Sequence, residues 1–373
     1  MLAYPNIFDN ISILYTASTL PRAIQYMTEH TPSQHLLAIW LFACCGILFA
    51  MILLGGVTRL TGSGLSMVQW NPIFGILPPL TQAEWDTVFQ LYQQSPEFKA
   101  YNFLMDIEGF KSIFWFEYAH RILGRIIGVI FLLGILLFLA KRMIDKTMLI
   151  KLVSMFVLGG MQGVLGWYMV QSGLIDVPHV SQYRLTAHFG LAVLIYGYMF
   201  WVALGLYFPR DASPVTAKSR RQLLLFSRVI CGLVFITLLS GGFVAGLKAG
   251  FAYNTFPLMD GQIIPDGILR IEPAWKNFFE NVTTVQFDHR VLATMLFLLI
   301  PTFWWLSRQV ELPPRAHLGT HLLLGALFLQ VALGISTILS HVYIPLASAH
   351  QGGSLLLLMA ALFVTHQLSD DLS

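Results

Sequence analysis

The chain has 373 residues, 56% of them hydrophobic and 11% charged, with a mean hydropathy of +0.68. Soluble domains carry about 25% charged residues, so this composition excludes a water-soluble globular protein and describes one built into a bilayer. The net charge of +3 gives no sign of a nucleic-acid partner, and Cys44, Cys45 and Cys231 all lie inside apolar runs, which leaves no disulfide or zinc framework to read.

Residues 1–35 are mixed in polarity and lack the layout of a secretory signal or a transit peptide. They read as a cytoplasmic N-terminal segment of a bacterial inner-membrane protein. Crossing the hydrocarbon takes about 20 predominantly apolar residues, and the runs that qualify cover 36–56, 114–139, 149–171, 185–207, 223–246, 287–307, 318–340 and 346–367. The pattern predicts an all-α polytopic membrane protein of eight transmembrane helices. Two long polar connections, 57–113 and 247–286, read as folded loops.

Lys and Arg in the short connections set the orientation. Lys141, Arg142 and Lys146 follow the second span, Arg210, Lys218, Arg220 and Arg221 the fourth, and Arg308 and Arg315 the sixth, whereas the opposing short connections hold only Arg184. Both termini are therefore expected in the cytoplasm and both long loops in the periplasm.

An internal repeat runs through the spans. Phe116-Glu117-Tyr118-Ala119-His120-Arg121 in the second answers Val285-Gln286-Phe287-Asp288-His289-Arg290 in the sixth, and Leu185-Thr186-Ala187-His188 in the fourth answers Ala347-Ser348-Ala349-His350 in the eighth. Gln162 and Gly166 match Gln330 and Gly334, and Gly55-Gly56, Gly64 and Trp70 align without gaps to Gly241-Gly242, Gly250 and Phe256. The order predicts two pseudo-symmetric four-helix bundles as a parallel repeat, an N-terminal half over 36–208 and a C-terminal half over 223–373, joined by a cytoplasmic connection over 209–222.

His120, His188, His289 and His350 stand near the periplasmic start of the even-numbered spans. An intramembrane ionisable residue is a functional candidate; the structural alternative is a histidine hydrogen-bonded to a neighbouring helix. One His from each of two helices per half matches bis-imidazole ligation of a haem iron, while zinc would want a third or fourth ligand. His30, His35, His317, His321 and His366 lie toward the cytoplasmic side and are expected to be solvated or interfacial; His179 and His341 each precede a candidate ligand by nine residues. Glu117 shares a helix face with His120, and the matching position holds Gln286. An acid in one half only points to chemistry there and electron storage in the other; the alternatives are a helix cap or pairing with Arg121 or Arg125. Arg121 and Arg290 suit haem propionates or the anchoring of helix ends.

Over residues 38–365 the chain resembles the heme A synthase family, in its proteobacterial and mitochondrial form. The resemblance is carried by Gly55-Gly56-Val57-Thr58-Arg59-Leu60-Thr61-Gly62-Ser63-Gly64-Leu65-Ser66, by Trp70 and Pro72, by Glu117 with His120-Arg121, and by Tyr183-Arg184-Leu185 with His188. It continues in Tyr253-Asn254-Thr255-Phe256-Pro257-Leu258-Met259, Phe287-Asp288-His289-Arg290 and Ala349-His350-Gln351. It implies oxidation of a ring methyl of haem O to a formyl group, giving haem A for terminal cytochrome oxidase, with oxygen from water. It further implies a haem b cofactor on His289 and His350 that relays electrons, haem O as substrate near His120 and His188, and Glu117 as the catalytic acid/base. Haem O synthase is the implied transient partner, besides a membrane electron acceptor; self-association into a homo-oligomer stays an open alternative. The cysteine pair that some members carry in the first loop is missing, since 57–113 holds no Cys. Two competing readings are a bis-His cytochrome b that only relays electrons, which would need no pocket acid, and an inverted-repeat transporter, which the parallel repeat disfavours.

Overall fold

A computed structural model describes residues 32–69, 76–175, 178–208 and 217–369. Its helices are α1 (Pro32–Leu60), α2 (Gln82–Gln93), α3 (Ile107–Ala140), α4 (Lys146–Gln171), α5 (Gln182–Tyr207), α6 (Ala217–Gly246), α7 (Val282–Ser307), α8 (Pro314–Leu339) and α9 (Ile344–Leu368), with shorter turns in the loop before α7. All but α2 are long and apolar enough to cross a membrane, eight in number among the described residues. The protein is a multi-pass membrane protein.

The spanning helices begin two to seven residues before the apolar runs that mark them, because a helix needs its first N–H groups capped outside the hydrocarbon. Asp106 accepts from Gly109 N at 2.8 Å, Asp145 from Met148 N at 2.7 Å, and Asn281 from Thr283 N and Thr284 N. The expected connection 209–222 gives up its last residues to α6, which starts at Ala217; 209–216 lie outside the described residues, as do 1–31, Trp70 and Pro72. The first long loop contains α2, opened by a capping box in which Thr81 and Glu84 satisfy each other's backbone N–H. Trp85 and Tyr92 of α2 pack against Phe110 and Phe114 of α3, with Tyr92 stacked on Phe110 at 5.1 Å between ring centres.

Contacts run around two rings of four helices, α1–α3–α4–α5 and α6–α7–α8–α9. The rings meet through α5 against α9, α1 against α9 and α5 against α6, the pattern that a pseudo-twofold axis along the bundle produces. The core lies at this junction, where Tyr196, Ala203 and Leu204 of α5 and Leu355, Ala361 and Val364 of α9 are buried. Outward faces are apolar and exposed, as in Leu133, Leu136 and Leu137 of α3 and Leu298 of α7, which is the arrangement for contact with lipid, where no other backbone topology except a closed barrel satisfies its own hydrogen bonds. Arg59 ties the halves by donating to the carbonyls of Ala245 and Gly246 at 3.1 and 3.2 Å, and Gln351 donates to Ile52 O at 2.9 Å across Gly56, where any Cβ would strike the Gln351 side chain.

Candidate functional site

The ring order puts the histidine-bearing helices of each half, α3 with α5 and α7 with α9, at diagonal corners. Each histidine faces a glycine on an adjacent helix. A Cβ at Gly55 would lie 3.0 Å from His120 Nε2, at Gly166 2.9 Å from His188 Cε1, at Gly241 3.4 Å from His289 Cε1 and at Gly334 2.8 Å from His350 Cε1. The four glycines are themselves two matched pairs of the repeat, so each half offers a diagonal pair of imidazoles over bare backbone, where a larger residue would crowd the rings.

His289 and His350 have ring centres 6.4 Å apart with planes at 84°. Two imidazoles bonded to one metal at about 2 Å each place their centres roughly 6 Å apart, so this pair fits the two axial positions of a haem iron. Ser240 lies 2.7 Å from His289 Nδ1; by holding that nitrogen it leaves Nε2 for a metal and fixes the ring's orientation. Its repeat partner in the N-terminal half is Leu54, so His120 lacks this hydroxyl. In that half Gln162 donates to His188 O at 2.8 Å. Among the described residues no cluster of three or more His, Cys, Asp or Glu side chains is placed to hold a bare metal ion.

The loops following α1 and α6 are clamped over the histidines in matching ways. Arg121 donates to Gln69 O at 3.1 Å and Met67 O at 2.9 Å; Arg290 donates to Thr255 O at 2.9 Å and Tyr253 O at 3.1 Å. Met67 and Gln69 are the repeat partners of Tyr253 and Thr255, so one arginine geometry is built twice. Both guanidinium groups hold loop carbonyls.

The acid breaks the symmetry. Glu117 is buried and accepts from Ser66 Oγ at 2.7 Å, Met67 N at 2.8 Å and Arg121 Nη2 at 2.5 Å. Gln286 is equally buried but donates, giving its amide N–H to Tyr253 O at 3.0 Å. The same depth and loop thus carry a carboxylate ringed by donors in one half and a neutral amide in the other. Pairing with Arg121 is the alternative that geometry supports for Glu117; the ring of donors also includes the loop, which the helical spacing of Glu117 and Arg121 does not disclose.

The remaining histidines fall elsewhere. His366 is fully buried against Trp201, with ring centres 5.2 Å apart, and is not the solvated or interfacial group expected from its position; α9 runs through the junction of the halves and carries even its last turn into the core. His317 and His321 lie together, 4.8 Å between ring centres, beside Arg308. His179 and His341 are exposed on loops, and His30 lies outside the described residues.

A second acid emerges from the first loop. Tyr92 donates to Glu97 at 3.1 Å and receives Asn102 Nδ2 at 2.7 Å. Burial pushes the Glu97 carboxyl up from 4.5 to about 7, helped by the nearby Glu117 charge and opposed by the Tyr92 hydrogen bond and by Lys248 and Arg59. The folded protein therefore favours neutral Glu97: its contribution is complete below pH 4.5 and is lost as pH rises through about 7. The melting temperature of wild type should fall across that window relative to Glu97→Gln, which should stay flat; parallel curves would remove Glu97 as the source.

The family model COX15-CtaA, described as a cytochrome oxidase assembly protein, matches residues 38–362. The chain is 54% identical over 352 residues to "Heme A synthase" of Nitrosospira multiformis, covering 94% of this chain and 98% of the relative. It is 48% identical over 356 residues to that of Nitrosomonas eutropha, covering 95% and 99%. It is 45% identical over 335 residues to "Heme A synthase COX15" of Homo sapiens, covering 88% and 82%. With matches of this extent running through both histidine-bearing halves, the chain belongs to the heme A synthase family.

Proposed function

We propose that the protein oxidises a ring methyl of haem O to the formyl of haem A, with the substrate between His120 and His188 and a resident haem b between His289 and His350. The observation that carries this division of labour is Glu117 against Gln286: otherwise matched sites differ by one titratable group, held by Arg121, Ser66 and Met67. Converting a methyl to a formyl with oxygen from water releases protons and electrons in equal number, so the reacting half needs a proton acceptor and a path for charge. Haem b, when bound, supplies one-electron transfer toward a membrane acceptor.

Glu117 receives protons or stabilises positive charge developing on the substrate. Arg121 orients that carboxylate and, together with the loop it clamps, keeps bulk water away from the substrate's periphery. The loop itself is tied down a second time by Tyr118, whose hydroxyl donates to Ile76 O at 2.6 Å. Ser240 positions His289 for the resident haem. Gly55 and Gly166 leave room beside His120 and His188 for a flat ring. The basic short connections support a bacterial inner-membrane location with cytoplasmic termini and with the haem sites on the periplasmic side, and haem O synthase is the partner that would deliver the substrate.

Haem analysis of protein purified from cells that co-express haem O synthase tests the reading. Haems B, O and A together are the expected result. Haem B alone would reassign the protein as an electron relay, and no haem at all would overturn both readings.

A further inference from the structure

On the outer surface of the N-terminal half, a groove of about 440 Å³ runs along α3 and the end of α1, lined by Leu54, Trp115, Tyr118, Ala119, Ile122 and Leu123, with Ile126 at its far end. The α3 residues recur at intervals of three and four, one continuous helical stripe. The groove's upper wall adjoins the candidate substrate site directly: Ala119 precedes His120, and Leu54 precedes Gly55, the glycine against which His120 packs.

The repeat supplies an internal comparison, because the same stripe exists in the other half with different chemistry. Ser240 stands for Leu54, Thr284 for Trp115 and Asp288 for Ala119. Ser240 is engaged with His289, and Thr284, buried at 1% exposure, accepts from Leu269 N of the second long loop. Trp115 is 45% exposed. At its upper end the stripe is thus apolar beside His120 but polar beside His289, while Phe287, Val291, Leu292 and Met295 keep the rest of it apolar in the C-terminal half as well. Helix faces turned to lipid need only be apolar; they need not be indented beside a candidate ligand of the iron, as this one is at Ala119 and Leu54.

Haem O and protohaem share a ring, an iron and propionates. They differ in the long hydroxyethylfarnesyl chain that haem O carries where protohaem has a vinyl group. A half that must accept the first and a half that holds the second therefore need different surroundings for one ring edge. We propose that the groove holds the isoprenoid tail of the substrate haem, so that the N-terminal half selects haem O by its tail and admits it sideways from the bilayer. This inference rests on the assignment of His120 and His188 to the substrate. In a membrane the tail's alternative environment is lipid, as apolar as the groove, so selectivity comes from shape: a preformed slot next to the ring site adds affinity for a ring with a chain at the right attachment point, a gain that a ring without the chain does not make.

Filling the groove with Ala119→Phe, or giving it the other half's polarity with Leu54→Ser, tests this. Protein is purified from cells co-expressing haem O synthase, and the extracted haems are separated by reversed-phase chromatography, with haem B of the C-terminal half as internal standard for folding. Tail-bearing haems (O plus A) per haem B should fall about tenfold, the discrimination that an apolar pocket commonly achieves. Uptake of added protohaem by the N-terminal half of the same variants should match that of wild type. Undiminished haem O in both variants, as expected if the groove merely holds lipid acyl chains, overturns the proposal. So does a parallel loss of haem O and protohaem, since the tail would then contribute nothing of its own. If wild type takes up no haem O at all, the substrate assignment of this half fails, and the groove's role fails with it.

Discussion

Glu117→Gln is expected to leave haem b in place and to stop haem A from forming, so that haem O accumulates on the protein. Removing a general base costs about 10²–10⁴-fold in rate, enough to leave the substrate unconverted in growing cells. The replacement copies the residue that the other half carries at 286, but the surroundings are not interchangeable. Gln286 donates to the carbonyl of Tyr253, whereas Glu117 accepts from the N–H of Met67, the matching loop residue, as well as from Ser66 and Arg121. A glutamine at 117 keeps one acceptor oxygen and turns an NH₂ toward a donor. Part of the loss could then come from a loosened loop, because an unsatisfied buried group costs about 1–3 kcal/mol and breaking a buried ion pair from one side about 3–5 kcal/mol. Two measurements separate the effects. Haem b content reports folding, and haem O bound to the variant reports an intact pocket. Loss of haem A with both haems retained assigns the proton to Glu117; haem A at the wild-type rate would make the residue structural.

His289→Ala and His350→Ala should each abolish the low-spin bis-imidazole spectrum and reduce haem b to background in a pyridine haemochrome assay. The rings stand 6.4 Å apart at 84° on diagonal helices, with Gly241 and Gly334 behind them, and among the described residues no third His, Cys, Asp or Glu joins the pair in a metal-holding cluster. His120→Ala and His188→Ala should keep haem b and lose haem O, which separates the two halves experimentally. Ser240→Ala should have a graded effect, weakening haem b by about 10–100-fold, as loss of a group that orients a metal-bound histidine typically does. A His289 or His350 variant with full low-spin absorbance would sink the assignment of that site.

The glycines show where reading the chain stops. Gly55, Gly166, Gly241 and Gly334 are visible as marks of the repeat, yet nothing in their spacing says that each lies under a histidine of a different helix. That relation depends on which helices become neighbours, which is decided by side-chain packing between spans and not by hydropathy along them. The same holds for Ser66 and Met67 as partners of Glu117, fifty or so positions away in the chain. α2 was within reach, because Thr81 and Glu84 form the capping box that opens it; the length of the polar stretch around it masks the signal. His366 misleads for a related reason: its position near a basic, solvent-side terminus is outweighed by α9 lying at the junction of the two halves.

Sequence by itself determined the membrane class, the eight spans, the twofold repeat and the five side chains of the candidate sites, because each follows from composition, from a local period or from a matched order of residues. Those are properties of short windows, and a bilayer makes them unusually legible by forcing every span to satisfy its own backbone. The tertiary structure alone decided the ring order that sets the histidines on diagonals, the double arginine clamp on the loops, the donor shell of Glu117 and the groove beside His120. These are relations among residues far apart in the chain. Without a hydrophobic force to drive helices together in lipid, close packing and a few interhelical hydrogen bonds select the neighbours, and their geometry is written in no single window of the sequence.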